Sequence, residues 1–274
     1  MIVVLSDLHL GLASAPRPAE LAPLFEGAQH VILNGDTTEL STPAFAARAA
    51  AQLAELRDAV KSRGAQCTVL AGNHDPDISA DTHHMLEEGR VLVTHGHAFH
   101  PMIVPWSPYA AEVGAEYRRV WEAMPSHAPL ERALLAAGQA ARTERQLEHA
   151  RPPAREALSM CLHPWRSMQV VGFWRIYPEL AAAFCERCAP EARMVVCGHS
   201  HRAGAWWVRN RLVLNTGCFT FPGTPHAVLM AEGQIALVPL QRTRNAWRYR
   251  AEFRRAWRMG LIAEAAAEAS TPVV

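Results

Sequence analysis

An α/β sandwich is the fold class this sequence predicts, and three observations point to it. Short runs rich in Val, Leu and Ile recur at 2–5, 31–34, 67–71, 90–94 and 194–197, each of a length that suits a buried strand. Helical patterns lie between the early runs, and strand alternating with helix argues for an α/β arrangement. Polar clusters follow the runs directly, where open α/β sheets place their sites, at the carboxyl ends of strands.

The elements follow in order. Ile2 to Leu5 is stopped by Ser6-Asp7. Pro43 to Val60 is Ala-rich, with Leu53, Leu56 and Val60 at helical spacing. From about Pro101 to Pro190 no strand is expected, and Pro101, Pro105 and Pro108 punctuate the entry. Helices are expected there at roughly 110–124, 129–149, 153–162 and 177–188. This stretch reads as a helical insertion, a cap beside the site. Ala205 to Val208, Arg211 to Leu214, Ala227 to Met230 and Ile235 to Val238 read as antiparallel strands. Their turns fall at Asn210 and Glu232-Gly233, and Pro239 closes the last of them. Residues 243–268 read as a C-terminal helix, because Tyr249, Phe253, Trp257 and Leu261 recur every four residues beside a row of Arg250, Arg254 and Arg258. The expected organisation is a core of 1–100 and 190–242, a cap of 101–189, and a helix and tail of 243–274.

Composition sets limits. The chain has 274 residues, half of them hydrophobic, and a net charge of +1. Bulk charge therefore predicts no nucleic-acid partner. Ten arginines against nine acids over 101–190 offer no electrostatic track for DNA. No run approaches the roughly 20 apolar residues of a spanning helix, and Ser6-Asp7 interrupts what would be a signal sequence. A cytoplasmic protein is expected. The six cysteines fit a reducing compartment as small buried hydrophobes. Seven arginines against one glutamate over 242–258 make the tail basic, and a basic amphipathic helix has the chemistry to lie on an anionic inner-membrane surface. Nothing in the sequence sets the oligomeric state.

Five clusters carry the chemistry: Asp7-Leu8-His9, Gly35-Asp36, Gly72-Asn73-His74-Asp75, His95-Gly96-His97 and Gly198-His199-Ser200-His201. Residues two apart share a face of a strand, so Asp7 and His9 reach one ion if that geometry continues past the strand end. The Asp36 carboxylate has two oxygens with which to bridge two ions. Asn73 offers an amide oxygen, and His95, His199 and His201 offer imidazoles. Mixed His, Asp and Asn ligands suit Mn²⁺, Fe or Zn²⁺ rather than Ca²⁺. Two ions about 3.5–4 Å apart would lower the pKa of a bridging water and clamp phosphoryl oxygens, so that the resulting hydroxide attacks phosphorus in line. His74 suits a proton donor better than a ligand. Asp75 is expected to orient it by accepting its other ring proton. Arg202, next to the last ligand, is a candidate contact for substrate phosphate, and His97 a supporting or substrate-facing residue. Asn34 reads as strand-end support, Asn215-Thr216-Gly217-Cys218 as a structural turn beside the site, and His83-His84 as an exposed pair after a loop. In the insertion, Arg118, Arg119, Trp121, Trp165, Arg166, Phe173, Trp174 and Tyr177 offer a wall for a nucleotide or lipid-linked phosphate.

Together these clusters resemble the five motifs of the calcineurin-like metallophosphoesterases, over about 1–100 and 190–240. The resemblance implies a four-layer αββα sandwich with a dinuclear metal centre. It implies that one ion takes Asp7, His9, Asp36 and His201. The other takes Asp36, Asn73, His95 and His199, and His74 is the catalytic histidine. Mn²⁺ is the expected metal, with Fe, Zn²⁺, Ni²⁺ or Mg²⁺ as alternatives. The activity implied is hydrolysis of a phosphodiester, phosphomonoester or pyrophosphate bond in a small substrate. The UDP-2,3-diacylglucosamine pyrophosphatases of lipid A synthesis are similar, but they typically carry Arg where His74 stands, which favours another substrate. Other members have lost ligands and serve as protein-binding scaffolds, whereas no motif position is lost here.

Overall fold

Alternate residues of the buried strands face different cores, and this alternation builds the layers. In the computed structural model, which describes residues 1–149, 164–260 and 262, β1 (Ile2–Leu5) directs Val3 and Leu5 outward and Val4 inward. Its parallel neighbour β2 (His30–Asn34) does the same with Val31 and Leu33 against Ile32. The first sheet runs β11-β10-β9-β1-β2-β3, with β12 also on β10. Its members are β3 (Gln66–Leu70), β9 (His226–Ala231), β10 (Gln234–Arg242), β11 (Trp247–Tyr249) and β12 (Arg255–Arg258). The second runs β4-β5-β6-β8-β7, from β4 (His83–Leu86), β5 (Val91–Thr94), β6 (Met194–Cys197), β7 (Gly204–Val208) and β8 (Arg211–Asn215).

The sheets face each other across a core of Val4, Ile32, Val93, Val196, Leu214 and Val228. Helices α1 (Pro18–Leu21) and α2 (Pro43–Lys61) cover the first sheet. Leu53, Leu56 and Val60 of α2 are buried at the predicted spacing. On the second sheet, Leu92, Val195 and Val213 meet α4 (Pro129–His149) and α5 (Pro164–Cys188) through Ala133, Tyr177, Phe184 and Cys185. The result is an αββα sandwich.

Several elements differ from expectation. The stretch read as an insertion shares its core with the second sheet, so α4 and α5 are the fourth layer of the sandwich. Only α3 (Ala110–Ala123) stands further out, packed on α4 through Val113, Ala140 and Ala141. Helix α5 begins at Pro164 rather than 177. The helix expected at 153–162 lies outside the described residues. His83 and His84 belong to β4, half-buried and paired with Thr94 and Val93. Pro239 does not end its strand: β10 continues to Arg242, and Pro239 pairs with His226.

The largest correction is at the tail. Residues 247–249 and 255–258 are strands, not helix, and both add to the same edge of β10. A four-residue repeat is also a multiple of two, so Tyr249 and Trp257 suit a strand as well as a helix. The open edge of β10 offers its unpaired backbone groups to an extended chain. Helix begins only at Met259, and 263–274 lie outside the described residues. The amphipathic helix expected to touch a membrane is therefore not formed over 247–258. Among the described residues no helix is long and apolar enough to cross a membrane.

Candidate metal centre

Each parallel strand ends in a loop that turns toward the same point. Asp7 and His9 follow β1, Asp36 follows β2, Asn73 to Asp75 follow β3, His95 follows β5, and His199 and His201 follow β6. Five of these residues lie at positive φ: Asp7 at 53°, His9 at 52°, Asp36 at 47°, His199 at 63° and His201 at 58°. Non-glycine residues seldom adopt this region, and strain of this kind gathers at functional sites. Glycines provide the approach. At Gly198 an added Cβ would strike the Asp7 carboxylate and the Ser6 hydroxyl. At Gly35, φ 77°, it would lie 2.6 Å from the His95 ring.

The donors form two overlapping sets. Asp7, His9, Asp36 and His201 place ligand atoms within 4.8 Å of one another, and so do Asp36, His95 and His199. His201 Nε2 lies 3.2 Å from Asp7 Oδ1 and 3.4 Å from His9 Nε2. His95 Nε2 lies 3.1 Å from Asp36 Oδ2 and 3.2 Å from Asn73 Oδ1. Asn73 Oδ1 is also 2.9 Å from His199 Nδ1. Backbone carbonyls fix the ring orientations. His95 Nδ1–H donates to Asn34 O at 3.0 Å, and His199 Nε2–H to Ile103 O at 3.1 Å. Each ring thus presents its other nitrogen to the cluster, the arrangement that holds histidine ligands in metal sites.

Charge supports the same conclusion. Asp7 and Asp36 are buried, and among the described residues no Arg or Lys pairs with either. Burial alone would raise the Asp36 carboxyl, but the His95 and His74 rings hold it well below the usual range. Burial likewise opposes ionisation of Asp7, which His95 and His201 keep low. Burial would lower His95 and His201, but Asp36 and Asp7 lift them to about 9 and about 10 respectively. Buried carboxylates require cations. Two carboxylates, four imidazoles and an amide oxygen form a donor set that fits two divalent first-row ions.

His74 is placed differently from the clustered donors. Its ring lines a cavity of about 460 Å³ beside the cluster, and its Nδ1 lies 3.0 Å from Glu39 Oε1. The same oxygen accepts from His9 Nδ1 at 2.7 Å. Glu39, which sequence reasoning missed, is therefore the partner of His74, not Asp75. Asp75 is buried and faces away, accepting the backbone N–H groups of Asp36, Thr38 and Gly72 at 3.0, 2.9 and 3.0 Å. Adjacency in sequence suggested a role that space does not allow. Burial and the Asp36 charge push its carboxyl up to about 7. Its part is to clamp the loops after β2 and β3.

His97 is fully buried against His95, with both ring nitrogens unpartnered, and does not reach the cavity. The ring packs on His95 instead of lining the cavity. Burial, with the His95 and His199 charges, holds it well below the usual range. Arg202 lines the cavity, and its guanidinium donates to Trp174 O at 3.0 Å. Trp174 joins it in the wall and donates Nε1–H to Ser200 O at 2.7 Å. Phe173 and Tyr177 are core residues, while Arg119 pairs with Glu116 and Trp121 lies under Arg132. Arg118 and Trp121 line a separate cavity of about 350 Å³. The side chains of Trp165 and Arg166 lie outside the description. Asn34 braces the sheets as expected, donating to Thr94 O and Val196 O at 3.1 and 3.3 Å. At the end of β8, Asn215 donates to Gly198 O at 2.6 Å, and in the turn that follows Cys218 faces His9 and His201.

Comparison with known proteins agrees with this geometry at the level of family. No curated protein matches the chain. Solved structures with a similar course include a Vps29 double mutant from Entamoeba histolytica, 12% identical, covering 93% of this chain and 98% of that one at a TM-score of 0.47. A predicted phosphoesterase from Streptococcus pneumoniae TIGR4 is 16% identical, with 93% and 97% covered and a TM-score of 0.41. The cold-active protein-tyrosine phosphatase of a Shewanella species is 12% identical, with 90% and 79% covered at 0.43. The model of the calcineurin-like phosphoesterase family matches residues 1–203, and the chain therefore belongs to that family.

Proposed function

We propose that this chain is a dinuclear-metal phosphoesterase acting on a small phosphorylated substrate. The observation that carries this reading is the convergence of five loop ends on two overlapping donor sets sharing Asp36. Asp7, His9, Asp36 and His201 would hold one ion, and Asp36, Asn73, His95 and His199 the other. The Asp, His and Asn oxygens and nitrogens suit Mn²⁺ best, with Fe, Zn²⁺, Ni²⁺ and Mg²⁺ as alternatives. Bound there, the pair supplies Lewis acidity and an activated water nucleophile.

The chain's own residues do the rest. Glu39 lies at ion-pair distance, 3.0 Å, from the Nδ1 edge of His74, which leaves Nε2 for the cavity. There His74 donates a hydrogen bond to a phosphoryl oxygen, or a proton to the leaving group. Arg202, at the cavity wall, takes a second phosphoryl oxygen. Val104, Trp106, Val170 and Trp174 form an apolar side that suits the ring or chain of the ester rather than further charge. That wall also favours a second reading, cleavage of a lipid-linked pyrophosphate. The free thiols of the described cysteines support a cytoplasmic location.

A panel of aryl phosphomonoesters, phosphodiesters and nucleoside pyrophosphates, assayed with each metal, tests the reading. Asp36→Ala should abolish turnover. His74→Ala should lower kcat by about 10²–10⁴-fold, the usual contribution of a positioned acid–base group. Wild-type rates in either variant would overturn the mechanism. Preference for a lipid-linked pyrophosphate over aryl diesters would favour the second reading.

A further inference from the structure

Cys218 lies outside the five sequence motifs, yet its Sγ closes a donor group with His9 and His201. These three ligand atoms all lie within 4.8 Å of one another. The residue is fully buried, in the turn after β8, the strand that follows β6 in the second sheet. Its sulfur is held in place from behind. The backbone N–H of Thr220 donates to Sγ at 3.3 Å, and Thr220 Oγ1 lies 3.0 Å away. The thiol in turn donates to Asp7 O at 3.4 Å, so three contacts fix the position of the sulfur, and the Thr220 N–H remains as a donor to it once the proton has left. The turn is anchored to the first ligand loop as well: Phe219 N–H donates to Asp7 O at 3.1 Å.

We infer that Cys218 is a thiolate ligand to the ion held by His9 and His201, which makes the two metal positions chemically unequal. The inference rests on the dinuclear reading above. Asp36, Asn73, His95 and His199 present only oxygen and imidazole nitrogen. The His9–His201 position adds a soft sulfur. Thiolate favours Zn²⁺ and other borderline or soft ions, whereas oxygen donors favour Mg²⁺ and Mn²⁺. Zn–S and Zn–N bonds of about 2.3 Å and about 2.0–2.1 Å are compatible with donor atoms spaced as these are. The thiol proton leaves to solvent on binding, and no electron transfer is involved. The His9–His201 position is therefore the one that retains Zn²⁺ when Mn²⁺ or Mg²⁺ is in excess.

X-ray absorption at the zinc edge of the wild-type full chain loaded with Zn²⁺ tests this without any substitution. A sulfur scatterer at about 2.3 Å beside nitrogen and oxygen at about 2.0–2.1 Å is expected. A fit with nitrogen and oxygen alone overturns the inference. A second arm uses Co²⁺. The wild type should show a near-ultraviolet sulfur-to-cobalt charge-transfer band that is lost in Cys218→Ser and kept in Cys67→Ser. The d–d bands should survive in both. Zn²⁺ affinity should fall at least about 10-fold in Cys218→Ser, the scale of a lost metal-site partner, with Mn²⁺ affinity little changed. Persistence of the charge-transfer band in Cys218→Ser overturns the inference. If two ions bind and aryl diesters are cleaved without any sulfur signal, the thiolate alone is refuted. If no ion binds, the dinuclear reading fails with it.

Discussion

At the residue scale, the site is built from side chains held in conformations that the backbone does not favour. Asp7, His9, Asp36, His199 and His201 all sit at positive φ, and each such residue costs on the order of 1–3 kcal/mol. The surrounding loops enforce those angles through bonds such as Asp7 N–H to Gly35 O at 3.1 Å and His9 N–H to Asp36 O at 3.0 Å. Glu39 is the residue whose role is most open to test. It contacts both His9 and His74, so Glu39→Gln should lower activity about 10–100-fold while two ions still bind. Unchanged kcat, with metal content measured alongside, would contradict its positioning role. The clustered donors could be picked out in the sequence because each follows a strand of recognisable composition. Glu39 was not, because a carboxylate three residues past Asp36 carries no signature until the loop folds back on His74. Asp75 was misread for the converse reason. It stands beside His74 in sequence, but its carboxylate turns to the backbone N–H groups of Asp36, Thr38 and Gly72.

At the element scale, the strands and their order around the site follow from composition, whereas the tail does not. The buried runs read as strands because they are apolar throughout and short. Over residues 247–258 an aromatic side chain recurs every four residues at Tyr249, Phe253 and Trp257, and that pattern satisfies a helix until β10 presents a free edge. One ion-pair group fastens that part of the sheet to the opposite end of the chain. Glu20 of α1, 3% exposed, accepts from Arg242 of β10 at 2.8 Å and from Arg17 at 2.7 Å. Burial would raise the Glu20 carboxyl, but those hydrogen bonds bring it down to about 2. A depressed carboxyl stabilises the fold above its unfolded pKa, and that contribution is lost as pH falls from about 4.5 toward about 2. Both arginines are largely exposed, so solvent discounts the effect. Glu20→Gln should cost about 1 kcal/mol at pH 7 in a denaturant titration, and the difference from wild type should vanish near pH 2. A cost independent of pH would assign the loss to packing instead.

At the scale of the whole molecule, the outer helices are inseparable from the sheets. Tyr177 shows why. Its ring lies in the core between α5 and the second sheet, and its hydroxyl donates to Gly198 O at 3.0 Å, in the loop that carries His199 and His201. Tyr177→Ala should therefore cost about 3–5 kcal/mol, by analogy with other large aromatic truncations, and should weaken metal binding as well. A thermal melt alongside a metal titration would check both. Removal of residues 110–185 should prevent folding rather than leave a stripped core, since Phe184, Cys185 and Ala181 would no longer cover Val195 and Val213. A soluble, cooperatively melting deletion protein would contradict this. The sequence showed a helical stretch between the last motifs, but not that α4 and α5 form a structural layer. That depends on which sheet face it covers, which no local pattern records. On the proposed function, two ions sharing Asp36 make this fold hydrolytic. The most direct test is the rate of aryl phosphodiester hydrolysis by metal-free protein as Mn²⁺ is added stepwise. The rate should rise to a plateau at two equivalents per chain and stay at background throughout in Asp36→Ala. A wild-type rate that never exceeds that of Mn²⁺ alone would contradict the account.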